Sequence, residues 1–314
     1  MEKIVKQKGV VVVSSRVMSV GNLANGMISQ TGEFIRCLRI RQWTKNLLVF
    51  AALLFSSGRI SWWQVNDSII AFILFCFCSS CAYLLNDFVD RDADRLHPQK
   101  CTRPMAAGTL NPYVGLAGLV GLLMFTIVYS FALSTPFGLV LVAYFVNSVL
   151  YSLKLKHVVI LDIMSIASGF VLRAVGGGLA IKVAMTPWFL LCTLLLALFL
   201  AIGKRRYELN LLEGAKLEHR RVLRKYSLQL LDQLTSIVTT LTITCYALYT
   251  FTSGKPEELM VTIPLVIYGI FRYLYLIHIE NKGGRPEKIL LEDKHVLVTV
   301  AIYSVLVFVI LYRY

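Results

Sequence analysis

Apolar residues along this chain fall into nine blocks, at residues 47–66, 68–85, 113–133, 137–153, 160–181, 187–203, 233–252, 257–278 and 295–312, separated by short polar stretches. A helix needs about 20 mostly apolar residues to cross the hydrocarbon core of a bilayer, and the blocks approach or reach that length. The pattern predicts an all-α integral membrane protein, a bundle of nine transmembrane helices. The first block is the weakest, because Arg59 interrupts it and Trp62 and Trp63 read as an interfacial belt. Residues 1–40 hold no block of this length and are expected to form an N-terminal tail, with an interfacial helix near Phe34 to Trp43; residues 41–314 are expected to form one polytopic domain.

Composition agrees with that pattern. Of 314 residues, 57% are hydrophobic and 16% charged, which excludes an ordinary soluble domain. The net charge of +14 would suggest nucleic acid in a soluble protein. Here its distribution has another reading: 26 of the Lys and Arg residues fall on the side of the amino terminus and 4 on the other, so the amino terminus is expected in the cytoplasm, with no nucleic-acid partner. Most of the seven cysteines lie inside apolar blocks, where Cys acts as a small hydrophobe, so neither a disulfide framework nor a metal site at Cys76, Cys78 and Cys81 is expected. Phosphate-loop, HExxH and GxSxG motifs are absent, which removes nucleotide hydrolysis, zinc proteolysis and the usual hydrolase elbow.

The chemistry concentrates in NDFVDRDADRLHPQKCTRP, Asn86 to Pro104, at the inner end of the second block. On a helix, Asp87, Asp90 and Asp94 stand at i, i+3 and i+7, forming one stripe with Asn86 at its margin, while Asp92 points elsewhere. Crowded carboxylates repel unless a cation lies between them, and oxygen-only ligands at a water boundary suit Mg²⁺. Lys100 and Arg103 follow in the same loop and suit phosphate charge. A solvated helix end would carry similar charges, and its place at the mouth of a membrane bundle favours the functional reading.

Further polar features are costly inside a membrane. Tyr144, Asn147 and Tyr151 form a stripe along the fourth block, which suits either interhelical hydrogen bonds or a substrate role. Asp162 and Arg173 lie eleven residues apart on one face of the fifth, with Ser165 and Gly169 between them. Gly176 to Gly178 would let neighbouring backbone approach. Lys204, Arg205 and Glu208 cap the sixth block. The long loop that follows, with Glu213 near Lys216 and Glu218 near Arg221, reads as a segment on the inner membrane surface.

These motifs resemble the UbiA-type superfamily of membrane prenyltransferases, whose NDxxDxxxD signature is matched at Asn86, Asp87, Asp90 and Asp94. Within it the chain resembles decaprenyl-phosphate 5-phosphoribosyltransferases, through QWTKN (Gln42 to Asn46), HPQKCTRPMAAG (His97 to Gly108), YSLKLK with Asp162, GFVLR (Gly169 to Arg173) and KRRYEL (Lys204 to Leu209). The resemblance implies nine spans around a central cavity open to the cytoplasmic side, in the cytoplasmic membrane. It implies transfer of 5-phosphoribose from 5-phosphoribosyl 1-diphosphate to the phosphate of a membrane polyprenyl phosphate, with Mg²⁺ on Asp87, Asp90 and Asp94. Lys45, Lys100, Arg103 and Lys156 would then clamp phosphate, with Asp162 and Arg173 placing the ribose or its 5-phosphate. Asn46, Asn86, Tyr151, Lys204 and Glu208 complete the expected substrate-binding set. The superfamily's second motif, DxxxD, is broken here, since Ile166 stands four residues after Asp162; this weakens the case for a second metal site and shifts the diphosphate end toward Lys and Arg. Two alternatives stay open: transfer of a polyprenyl group from its diphosphate to an aromatic or other acceptor, and transport through a pathway at Asp162 and Arg173.

Overall fold

The computed structural model describes residues 30–55, 60–96, 100–214, 222–284 and 286–313, and these form helices and loops with no strand. Among them, eight helices are long and apolar enough to cross a membrane. They are α1 (Trp62–Val89), α2 (Pro112–Leu133), α3 (Thr135–Leu153), α4 (Leu161–Ala180), α5 (Pro187–Gly214), α6 (Leu228–Thr252), α7 (Ile263–His278) and α8 (Lys294–Tyr312). The 3-10 helix Glu257–Thr262 lengthens α7 at its start.

Polar side chains fix where several of these helices begin. Ser61 and Gln64 form a reciprocal capping box on α1. Asn111 accepts from the Tyr113 N–H at 2.9 Å, Ser227 from Leu230 at 3.1 Å and Asp293 from Val296 at 2.9 Å. Each such cap satisfies one of the orphan N–H groups of a helix start and is worth about 1 kcal/mol. Between α2 and α3 the chain reverses through one extended residue, Ser134, with Pro136 in the first turn that follows.

The first apolar block takes a different form from the others. Residues Ile40–Phe50 are a 3-10 helix, continued by the short α-helix Ala51–Leu54. At about 2.0 Å per residue in the first part and about 1.5 Å in the second, this segment reaches roughly 28 Å, close to the hydrocarbon thickness. Its ends touch opposite ends of the bundle. Arg39 contacts Asp87 near the end of α1, whereas Phe55 packs against Phe189 at the start of α5 and Tyr249 near the end of α6. The segment lies hard against α4, because a Cβ on Gly177 would stand 2.1 Å from the Val49 carbonyl oxygen. Only glycine permits that approach.

Four buried clusters hold the bundle, one of them joining α6, the 3-10 turn before α7 and α8 through Tyr246, Tyr249, Leu259 and Val307. Phe199, Leu231, Tyr273 and Ile277 knit α5, α6 and α7; Val49, Phe75, Phe137 and Tyr144 knit the 3-10 segment, α1 and α3. The last, with Cys37, Cys81, Leu84, Met105 and Leu119, sits under the acidic loop and ties it to α2. Outward faces remain apolar, as Val120, Met124, Val128 and Phe131 of α2 show. A helix apolar on every side suits lipid on one face and protein on the other.

Several boundaries differ from the sequence expectation, and α1 already begins at Trp62, inside the first apolar block. α5 continues to Gly214, so KRRYEL lies on a helix and not in a loop. The residues preceding the 3-10 segment, 30–37, are α-helical, and Phe34 and Leu38 pack on the cluster beneath the acidic loop. Lys216, Glu218 and Arg221, and with them both expected pairs, lie outside the described residues, as does His97.

Candidate active site

α1 ends at Val89 and, after Asp90, the short helix Arg91–Arg95 continues its course, with the Asp94 N–H donating to the Asp90 carbonyl at 2.8 Å. That near-continuity keeps the stripe of acids on one side. Asp87 and Asp94 are buried, 2% and 3% exposed, and Asp92 is turned to solvent. Buried carboxylates require counter-charge, and each acid of the stripe has it. Arg103 Nη1 donates to Asp87 Oδ1 at 3.1 Å and to Asp94 Oδ2 at 2.6 Å. Arg39 donates to the same Asp87 oxygen and lies over the Tyr83 ring, while Lys100 stands 3.9 Å from Asp94. Lys156 Nζ donates to both oxygens of Asp90, at 2.8 and 2.9 Å.

This cluster therefore sets four cations against three carboxylates. Its partners come from four separate segments: Arg39 before the 3-10 helix, the acids of α1 and its extension, Lys100 and Arg103 of the loop, and Lys156 between α3 and α4. No group of three or more His, Cys, Asp or Glu among the described residues stands arranged for a metal ion. The reason is visible in the pairing: Asp87 and Asp94 converge on one guanidinium nitrogen, while Asp90 turns to Lys156. That nitrogen is itself a stand-in cation between two buried all-oxygen donors, so the donor set fits a hard divalent ion such as Mg²⁺.

A second cluster lies one short turn away. Asp162 and Arg205 are fully buried, 0% and 1% exposed, with Arg205 Nε donating to Asp162 Oδ2 at 2.6 Å. Arg205 also donates to Glu208 and, at 3.3 Å, to the Tyr151 hydroxyl. The Tyr226 hydroxyl donates to Asp162 Oδ1 at 2.7 Å and accepts from the Ile160 N–H at 2.7 Å. Burial, and then the hydrogen bond to Asp162, push that hydroxyl up to about 12, so it remains protonated at neutral pH. Ile160, a β-branched residue, holds φ 70° and ψ −46°, near the rare γ conformation. Such a backbone costs on the order of 1–3 kcal/mol and persists only where surrounding contacts impose it.

The third group is in mid-bundle. Arg173 donates to Asn46 Oδ1 at 2.7 Å, to the Gly169 carbonyl at 2.8 Å and to the Tyr144 hydroxyl at 2.7 Å. Asn46 donates in turn to Ser79 at 3.2 Å, and Asn147 and Ser165 exchange two hydrogen bonds between α3 and α4. Asp162 and Arg173, expected on one face, thus serve separate networks. The stripe of Tyr144, Asn147 and Tyr151 makes bonds between helices at all three positions. Lys45, Asn86 and Lys204 are half-buried, each adjacent in sequence to a member of these groups. Two hollows of about 720 and 380 Å³ lie elsewhere, along α6 near Asp232 and Ser236.

Sequence reading missed three participants. Arg39 and Arg205 sat inside basic runs that the inside-positive charge bias already explained. Tyr226 carried no signal, being one aromatic residue in a charged loop.

The profile of the UbiA prenyltransferase family matches residues 46–291. A decaprenyl-phosphate phosphoribosyltransferase of Mycolicibacterium smegmatis is 34% identical over 289 residues, 87% of this chain and 88% of that protein. The protein of the same description from Mycobacterium tuberculosis is 31% identical over 83% of this chain and 88% of its own length. Among solved structures, a UbiA homolog from Archaeoglobus fulgidus bound to GPP and Mg²⁺ superposes with a TM-score of 0.70, covering 89% of this chain and 99% of that one at 18% identity.

Proposed function

The chain belongs to the UbiA prenyltransferase family, and from that premise we propose that it transfers 5-phosphoribose from 5-phosphoribosyl 1-diphosphate to the phosphate of a membrane polyprenyl phosphate, releasing diphosphate. Relatives described as decaprenyl-phosphate phosphoribosyltransferases, 31% to 34% identical along most of the chain, support this substrate pair. The observation that carries it is the excess of cations in the acidic cluster, since Arg39, Lys100, Arg103 and Lys156 suit a donor with a 5-phosphate beyond its diphosphate.

Asp87, Asp90 and Asp94 are the residues that would hold Mg²⁺, which supplies positive charge to the departing diphosphate. Arg103, Lys100 and Lys156, now held by carboxylates, are already in place to take phosphate oxygens when the donor arrives, and Lys45 extends this set on the 3-10 segment. Asp162, Tyr151, Lys204 and Glu208 frame the neighbouring side, and Asn46 with Arg173 the floor. An oxygen of the lipid phosphate bonds to C1 of the ribose as the bond from C1 to the diphosphate oxygen breaks. That oxygen is already anionic, so no general base is needed, and positioning with fixed charge lowers the barrier.

Several wider features belong to the same reading. The bundle crosses the membrane nine times, counting the segment from Ile40 to Leu54, around a central cavity open to the cytoplasm. The Lys and Arg asymmetry of the loops supports an acidic end facing the cytoplasm of an inner membrane, where the soluble donor is found.

Purified protein in lipid nanodiscs, given labelled 5-phosphoribosyl 1-diphosphate and decaprenyl phosphate with and without Mg²⁺, provides the test. Label should pass to lipid only with Mg²⁺. Absence of that transfer, with prenyl groups passing from a prenyl diphosphate to an aromatic acceptor instead, would overturn the proposal.

A further inference from the structure

We infer that Tyr226 is a positioning residue for the transfer, holding through one hydroxyl both the turn that carries Lys156 to Asp90 and the buried acid that holds Arg205. The inference rests on the transferase reading and assigns a role to a residue that touches none of the proposed phosphate clamps.

The chain of contacts is short. Lys156 sits in the 3-10 turn Leu155–His157, and four residues later Ile160 precedes the first turn of α4. Backbone bonds tie the stretch together: Val158 N–H to the Leu155 carbonyl at 3.1 Å, and Asp162 N–H to the Val158 carbonyl at 3.1 Å. A shift at the start of α4 therefore moves Val158 and, with it, the turn bearing Lys156. What fixes that start is the Tyr226 hydroxyl, which takes the Ile160 N–H and gives its proton to Asp162. An N–H at a helix start has no carbonyl of its own helix to meet, so this acceptor is the one that Ile160 is given. Tyr226 is itself anchored, because Val222 and Leu223 just before it are 1% exposed. Without the hydroxyl, Ile160 is free to leave its positive φ, and the Lys156 turn loses its register against Asp90.

The test is a binding titration of Mg²⁺ with inorganic diphosphate on the purified protein, run beside donor and acceptor kinetics. In Tyr226→Phe the dissociation constant for the Mg-diphosphate pair should rise about tenfold, the size of one lost buried hydrogen bond. The KM for 5-phosphoribosyl 1-diphosphate should rise with it, while the KM for polyprenyl phosphate stays put. Partial unfolding could imitate a tenfold rise only if about nine-tenths of the protein were unfolded, which helical circular dichroism on the same sample would show. Adding Ile160→Gly to Tyr226→Phe should recover most of the lost affinity, because glycine adopts φ 70° without help. An unchanged affinity in Tyr226→Phe, or a loss that Ile160→Gly leaves untouched, overturns the inference. Wild-type protein that binds diphosphate yet transfers no phosphoribose would instead overturn the substrate reading and leave the positioning role to be decided by the two variants.

Discussion

Asp and Arg meet in two neighbouring places at the acidic end, and the two meetings differ in kind. At Asp87, Asp90 and Asp94 the ions come from four segments, the cations outnumber the acids, and Arg39, Lys100 and Arg103 remain a quarter to a third exposed. At Asp162 and Arg205 the pair is sealed, with Glu208 as a second, partly exposed acid on the same cation and tyrosines completing the shell. Partners that water can reach can be exchanged for a ligand. Partners that water cannot reach are part of the frame, since separating them strands a charge in a low dielectric. On the proposed reading, the first place receives a polyanion and the second keeps the receiving turn in register.

The sharpest way to break that distinction is Arg205→Met. It should lower stability by about 3–5 kcal/mol, the usual cost of leaving a buried charge unpaired. Adding Asp162→Leu should restore more than half of the loss, since removal of both charges is far cheaper than removal of one. Denaturant unfolding in detergent, followed by helical circular dichroism, measures both. If Arg205→Met were as stable as the parent and only slower, the buried pair would be a second exchangeable site and the contrast would fail.

Asp90→Asn tests the other side. It keeps the shape and removes the charge that Lys156 meets, so it should cut turnover by about 100- to 1000-fold, the scale of losing one preorganised electrostatic contact at a reacting centre. Its unfolding midpoint should fall less than that of Arg205→Met, because Asp90 is more than a quarter exposed even though the Lys156 it meets is buried. Turnover at the parent rate would remove Asp90 from the proposed metal set. A large fall in stability with unchanged turnover would make this cluster a structural one like its neighbour.

The comparison also shows what was readable before any coordinates. Eight of the nine apolar blocks correspond to long helices because a run of some twenty apolar residues has few other outcomes in a membrane. The block at residues 47–66 departs from that rule: the segment that occupies its first part begins at Ile40 and takes Gln42, Thr44, Lys45 and Asn46 into the bundle as a 3-10 helix, where Asn46 meets Arg173 and Ser79. Polar residues placed for partners on α1 and α4 blur the apolar signal. The acidic stripe was legible because helical spacing alone puts Asp87, Asp90 and Asp94 together. Its counter-ions were not, since spacing cannot say that Arg39, 48 residues before Asp87, folds back onto it. Nor can it show that Tyr226 closes on Asp162 from 64 residues away.

The smallest expected effect calibrates both regions with a third ion pair that belongs to neither. Asp293 caps α8 through the Val296 N–H and accepts from Arg272 at 2.7 Å. The hydrogen bond from Arg272 holds the Asp293 carboxyl below its ordinary value of 3.8. A carboxylate whose folded value lies below its unfolded one adds stability above the unfolded value and loses it as pH falls through the folded one, so this contribution should be complete near neutral pH and fade below about pH 4. Asp293→Asn keeps an oxygen for the cap and discards the charge; Asp293→Ala discards both. The alanine variant should cost about 1 kcal/mol at pH 7, as a lost cap does, and the asparagine variant a smaller part of it. Unfolding measured at pH 7 and near pH 3 should show the gap between asparagine variant and parent closing at the lower pH. A gap as wide at pH 3 as at pH 7 would mean that shape and not charge sets the worth of this pair. The scale against which the sealed pair at Asp162 is called expensive would then have to be redrawn.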